Sequence, residues 1–146
     1  MNAPYDIPQS RANSLLQVSS CAMAINDFKD IEELEMTSTE GYHAHVYFDA
    51  QTIEQARALC ETVSAKFDIR MGRVHERPVG PHPDWSCQLA FSHEEFADVM
   101  LHLALNRNGL VVFTHPLTGD DLADHTEHAI WMGGVRELNV GMFRKA

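Results

Sequence analysis

Nine histidines against two tryptophans is an unusual ratio in a chain of 146 residues, and the chemistry legible in this sequence starts there. His43 and His45 are separated by one residue. Strand side chains alternate faces, so this His-x-His sets two imidazoles on one side of a strand, a spacing able to grip one ion. Neutral imidazole ligates Fe(II), Zn(II), Mn(II) and Cu(II). Taken alone the pair is a weak signal, because two strand histidines often occur without a metal. His75 and His115 close two other β-prone stretches, and His82 stands between Pro81 and Pro83. Arg73 and Arg77 flank His75, and guanidinium forks pair with carboxylates, so they are candidates for an acidic substrate or for plain ion pairs. A wet face ringed by His and Arg would be costly to maintain unless something binds there. His93 and His102 fall on a helix and read as solvated. His125 and His128, at i and i+3 in the tail, read as surface or rim.

The elements that would position these groups follow from pattern. Gly41 to Asp49 reads as a strand, aromatic and β-branched with alternating character. Thr52-Ile53-Glu54-Gln55 has the form of a capping box, and Ile53, Ala56, Leu59, Cys60, Val63 and Phe67 then recur at helical spacing. A second strand spans Asp68 to Arg77. Pro78 to Pro83 cannot hold a sheet ladder, since its three prolines lack an N–H, and is a connecting loop. Trp85 to Phe91 is a third strand. Ser92-His93-Glu94-Glu95 is another capping box, opening a helix with Phe96, Val99, Met100, Leu103 and Ala104 inward. Asn106 to Gly109 stops it, as Asn and Gly suit a left-handed turn. Leu110 to His115 is a fourth strand, and a short helix follows from Asp124 to Trp131.

This order is βαββαβ, the α+β ferredoxin-like arrangement: an antiparallel sheet with both helices on one face. The other face is then uncovered, so a homodimer closing an α/β barrel is the natural expectation. Alternation gives Ala44, Val46 and Phe48 to the helix side and His43, His45 and Tyr47 to the open face. The same rule puts Met71, Arg73, His75 and Arg77 together, and Val111, Phe113 and His115 together. Topology further suggests one rim shared by His43, His75, His82 and His115, four separate stretches of chain meeting in one region.

Composition narrows the classes. Apolar residues at 45% can fill a core, and charged residues at 22% are ordinary for a globular chain. The formal charge of −10 disfavours general nucleic-acid binding, because an acidic surface repels phosphate. The apolar runs are too short for a membrane span. Cys21, Cys60 and Cys87 are widely spaced with no CxxC, which makes a cytoplasmic location the default. In residues 1–40 the acids Asp6, Asp27, Asp30, Glu32, Glu33, Glu35 and Glu40 outweigh Arg11 and Lys29. This part reads as an acidic extension, loosely docked, ahead of a domain at 41–146.

Several stretches resemble the DOPA 4,5-dioxygenase family. They are Tyr42-His43-Ala44-His45-Val46-Tyr47-Phe48, the run from Gly72 through His75 and His82 to Pro83, and Leu105-Asn106-Arg107-Asn108-Gly109-Leu110. His115-Pro116-Leu117-Thr118-Gly119-Asp120-Asp121 and the run from Asp124-His125 to Trp131 complete the match, which covers about residues 41–135. The resemblance implies extradiol ring cleavage of a catechol such as L-DOPA or a related phenolic acid, with O₂ and non-haem Fe(II), Zn or Mn being other divalent choices. It implies a ligand pool of His43, His45, His75 and His115, His82 as the loop acid/base, and Arg73 and Arg77 as anchors for the substrate carboxylate. Many extradiol enzymes use two histidines and one carboxylate. Here Glu76 alternates away from His75, so Asp121 or Asp124 would have to serve, or the site would use three histidines. A competing reading is a non-catalytic metal- or small-molecule-binding barrel, and a third is a metal-free, monooxygenase-like dimeric barrel.

Overall fold

The computed structural model describes residues 39–144. The extension expected over residues 1–40 falls almost wholly outside them, as does Cys21. Five strands and three helices form an α+β unit: β1 (Tyr42–Phe48), α1 (Ile53–Lys66), β2 (Arg70–His75), β3 (Trp85–Phe91), α2 (Phe96–Asn106), β4 (Val111–Pro116), α3 (Asp121–His125) and β5 (Ile130–Met132). The sheet order is β2-β3-β1-β4-β5, with every neighbouring pair antiparallel. Its first four strands stand in the order the βαββαβ reading requires.

Alternation in β1 decides which side meets the helices. Ala44, Val46 and Phe48 join Cys87, Leu89 and Phe91 of β3 under Ala56, Leu59, Cys60 and Val63 of α1 and Val99 and Leu103 of α2. The α1 set recurs at helical spacing, so one stripe of that helix is buried. Cys60 and Cys87 are free thiols within this core. On the opposite face a smaller apolar cluster gathers Tyr47, Val111 and Phe113 beneath Ala129, Trp131 and Leu138. The second face is therefore not bare. The chain after β4 folds over its β1–β4 half, and Asn139 N–H donates to the Pro81 carbonyl at 2.8 Å, tying the tail to the 78–83 loop.

Several local expectations change. Neither capping box forms. The Thr52 hydroxyl donates to Asp49 Oδ1 at 2.9 Å, and Gln55 reaches Asn108 O at 2.6 Å instead of its own helix start. Ala104 is exposed rather than inward. The tail helix begins earlier than expected, because Asp120 accepts from Ala123 N–H at 3.0 Å and caps it, and the chain after it becomes β5. The stop after α2 is as expected, with Asn108 at φ 45° and Gly109 at φ 84°.

The largest departure is in β2. A bulge lies between Met71 and Val74, so Arg70 pairs with Ala90 and His75 with Ser86, while Met71 and Val74 both pack on the helix side. An extra residue breaks the period of two, and the expected face of Met71, Arg73, His75 and Arg77 does not exist. In addition β2 runs parallel to β1, both being antiparallel to β3. The start of β2 shares a rim with the start of β1, and His75, at its end, lies on the other rim.

Gly41 fixes where β1 begins. Its φ is +144°, and a Cβ there would stand 2.7 Å from the Phe91 carbonyl oxygen. Its own carbonyl accepts from Leu117 N–H at 2.9 Å. We expect Gly41→Ala to lower stability by about 1–3 kcal/mol through backbone strain, with the contact adding to it. A urea midpoint equal to that of the parent would refute this.

Candidate metal centre

Sheet register brings the histidines together. His43 of β1 lies directly opposite His115 of β4, and His45 stands two residues further along on the same face. One ligand atom from each of His43, His45 and His115 lies within 4.8 Å of the others. His45 Nε2 and His115 Nε2 are 3.4 Å apart. Two imidazoles bonded to one metal at about 2.1 Å, roughly 100° apart, hold their nitrogens near 3.2 Å, so this spacing fits a shared ion. His115 Nδ1 donates to the Pro116 carbonyl at 2.9 Å, which leaves the Nε2 lone pair facing the cluster.

Burial, helped by the neighbouring rings, keeps these imidazoles uncharged. Burial, reinforced by the neighbouring His82, His115, His43 and His125, holds His45 well below the usual histidine range. His115 is pushed down to about 4 by burial, against the opposing Pro116 hydrogen bond and with help from His125 and His43, and burial with His125, His115 and His43 does the same to His82. His43 is lowered by burial, by His125 and by Arg70. Neutral imidazole is the form that binds a metal. In the metal-free protein the sign follows directly. The unfolded chain takes these protons near pH 6.5, whereas in the folded one His82 and His115 take theirs only near 4 and His43 and His45 are also lowered, so the unfolded state binds more protons in between. Stability of chelator-treated protein should be full above about pH 6.5 and fall as pH drops toward 4. A denaturant midpoint flat across that window would contradict it.

The remaining candidates separate. His82 is buried and reaches the cluster because its loop folds back over the open face. Its ring centroid is 3.9 Å from that of His45, and its Nδ1 is 2.7 Å from the Tyr47 hydroxyl. Burial, with Asp84 nearby, pushes the Tyr47 phenol up, so it keeps its proton. His75 lines the same cavity of about 310 Å³ but contributes no atom to the cluster of three. Arg73 and Arg77 are exposed and are not among the residues lining that cavity.

The open question of a carboxylate ligand also resolves in part. Asp124 is buried, but its oxygens are engaged by Thr118 N–H at 2.9 Å, by the Thr118 hydroxyl at 2.6 Å and by His128 Nδ1 at 3.3 Å. Burial opposes its charge, yet these hydrogen bonds prevail and lower its pKa. Asp121 lines the cavity, again without joining the cluster. Three histidines are the donor set that the geometry offers. His125, read from sequence as surface or rim, is buried, with its centroid 4.1 Å from that of His115 and its Nδ1 2.7 Å from the Asp121 carbonyl. The signal for it was Asp120 as an N-cap, which starts the helix early enough to turn His125 inward. A larger cleft, about 780 Å³, opens at the other end of β1 by Asp84, Trp85 and Arg136, but it contains no imidazole, and volume alone supplies no chemistry.

The chain is similar to several known proteins. The chain is 29% identical over 139 residues to a DOPA 4,5-dioxygenase of Amanita muscaria, a match spanning 89% of this chain and 61% of that protein. It is 31% identical over 129 residues to an uncharacterized 21.2 kDa protein of Botryotinia fuckeliana, covering 80% and 70% of the two. A crystal structure from Nostoc punctiforme, described as a "putative dioxygenase", superposes with a TM-score of 0.69 at 41% identity over 70% of this chain and 90% of that one. The model of the Dopa 4,5-dioxygenase family matches residues 42–142, which include every histidine of the cluster, and the chain belongs to that family.

Proposed function

We propose that this protein is an extradiol dioxygenase that opens the ring of a catechol, such as L-DOPA or a related phenolic acid, using O₂ and Fe(II) held by His43, His45 and His115. The observation that carries this reading is the convergence of those three imidazoles in one cavity, with ligand atoms within 4.8 Å of one another. Bound Fe(II) would supply the electron path that lets O₂ react with a catechol, which the spin of O₂ otherwise forbids.

The chain's own groups do the rest. The cavity wall of Val79, Pro81, Leu117 and Phe143 offers apolar surface to an aromatic ring. His82 is the acid/base: it takes a phenolic proton and returns it later in the cycle. The Tyr47 hydroxyl suits that task because it can donate to Nδ1 or accept from it, supporting either tautomer of the ring. His125 packs behind His115 and helps exclude water.

The decisive experiment starts with metal analysis of protein purified without chelator or affinity tag. Anaerobic loading with Fe(II) follows, then an oxygen electrode with a panel of catechols including L-DOPA and caffeate. One O₂ consumed per ring opened, with a yellow product, is expected. No uptake with any member would overturn the reading. A homodimer, expected from an uncovered sheet face, retains only the β2 side of that face for its contact, and sedimentation decides it. Among the described residues no helix is long and apolar enough to cross a membrane. The free thiols Cys60 and Cys87 are in keeping with a reducing, cytoplasmic setting.

A further inference from the structure

We infer that Arg70 is the residue that selects a catechol bearing a carboxylate, by pairing with that group at the rim of the histidine cavity. This deepens the ring-opening reading above and rests on it.

The argument is one of register. Arg70 pairs with Ala90, Ala90 with His43, and His43 with His115, so the four lie in one row across the open face. The bulge at Gly72–Arg73 makes this so, since it places Arg70 and His75 on one face although they are five residues apart. The parallel run of β1 and β2 puts Arg70 on the rim of His43. Strands lie about 4.8 Å apart, so Arg70 starts roughly 10 Å from His43, a gap that its long side chain can partly close. Between them stands only the methyl group of Ala90. Arg70 and His43 line one cleft of about 380 Å³, and His43 and Leu117 of that cleft also line the metal cavity.

The charge balance leaves Arg70 available. Among the described residues it forms no ion pair, although Asp68 and Glu40 line the same cleft. Arg73 and Arg77, the guanidinium groups that the sequence favoured, do not line either cavity. A planar fork at this distance from the cluster suits a ligand with its catechol oxygens at the histidines and its carboxylate a short tether away.

The test compares caffeate with 4-methylcatechol, which has no carboxylate, in the Fe(II)-loaded parent and in Arg70→Gln, Arg70→Lys and Arg73→Gln. For caffeate, Arg70→Gln should raise KM about 10- to 100-fold with little change in kcat, the range for a lost charged hydrogen bond. Arg70→Lys should recover part of this, and Arg73→Gln should behave as the parent. For 4-methylcatechol no variant should differ. Equal losses on both substrates, or a loss in Arg73→Gln instead, would overturn the assignment. Calorimetric titration of Zn(II)-loaded protein with caffeate gives a readout without turnover. If the parent opens no ring but Arg70→Gln still weakens caffeate binding, the reaction is wrong and the anchor stands. If caffeate and 4-methylcatechol bind the parent equally, the anchor is refuted.

Discussion

Replacing His45 with Gln should strip the protein of its metal while leaving the fold in place. His45 stands nearly fully buried at the centre of the cluster, 3.4 Å from His115 through their Nε2 atoms and against the His82 ring. Removing a group that merely supports a ligand costs 10- to 100-fold in metal affinity, so loss of a ligand should cost about 100-fold or more. Glutamine keeps much of the volume, which limits the cavity left behind. Metal content after dialysis, with urea midpoints of chelator-treated parent and variant, separates the effects. Lost metal with matched metal-free midpoints is the expected result. Full occupancy in the variant would show that the ion sits elsewhere.

A second large effect is expected at His82. His82→Gln should keep the metal but lower kcat on a catechol by about 10²- to 10⁴-fold, the usual contribution of a positioned acid/base. The ring touches His45 but belongs to a loop, and its Nδ1 is committed to Tyr47. Tyr47→Phe removes the partner and not the imidazole, so its loss in kcat should be smaller and its metal content normal. An unchanged kcat in His82→Gln, or loss of metal there, would return His82 to a structural or ligand role.

The two substitutions probe different levels of the sequence. His45 was legible because the period of a strand is fixed by backbone geometry, and His43-x-His45 therefore shares a face in any strand. His115 was legible for a related reason, since an antiparallel partner of β1 ending in His115 brings it opposite His43. Topology suggested His82 at the rim, but its acid/base role came only from the resemblance, because a Pro-rich loop has no period that says where it returns. Its position depends on the tail that holds it, through the hydrogen bond from Asn139 to Pro81.

Arg70 and His75 show where local reading fails. The Gly72 in mid-strand was a signal for a bulge, and one extra residue breaks the alternation, so Met71 falls on the helix side while His75 stays on the open face. The sense of β2 relative to β1 then decides which end of that strand meets the site. Alternation alone carries neither fact, and the expectation that His75, Arg73 and Arg77 face the cluster depended on both.

By itself the sequence determined the order of the first six elements, the two-sided character of β1 and the supply of imidazole, because these rest on the spacing of neighbouring residues. Only the tertiary structure decided that three of the histidines share one point, that His125 turns inward behind them and that Arg70 holds the near rim. Those outcomes depend on register, a bulge and a returning tail, which are set by contacts between residues far apart in the chain.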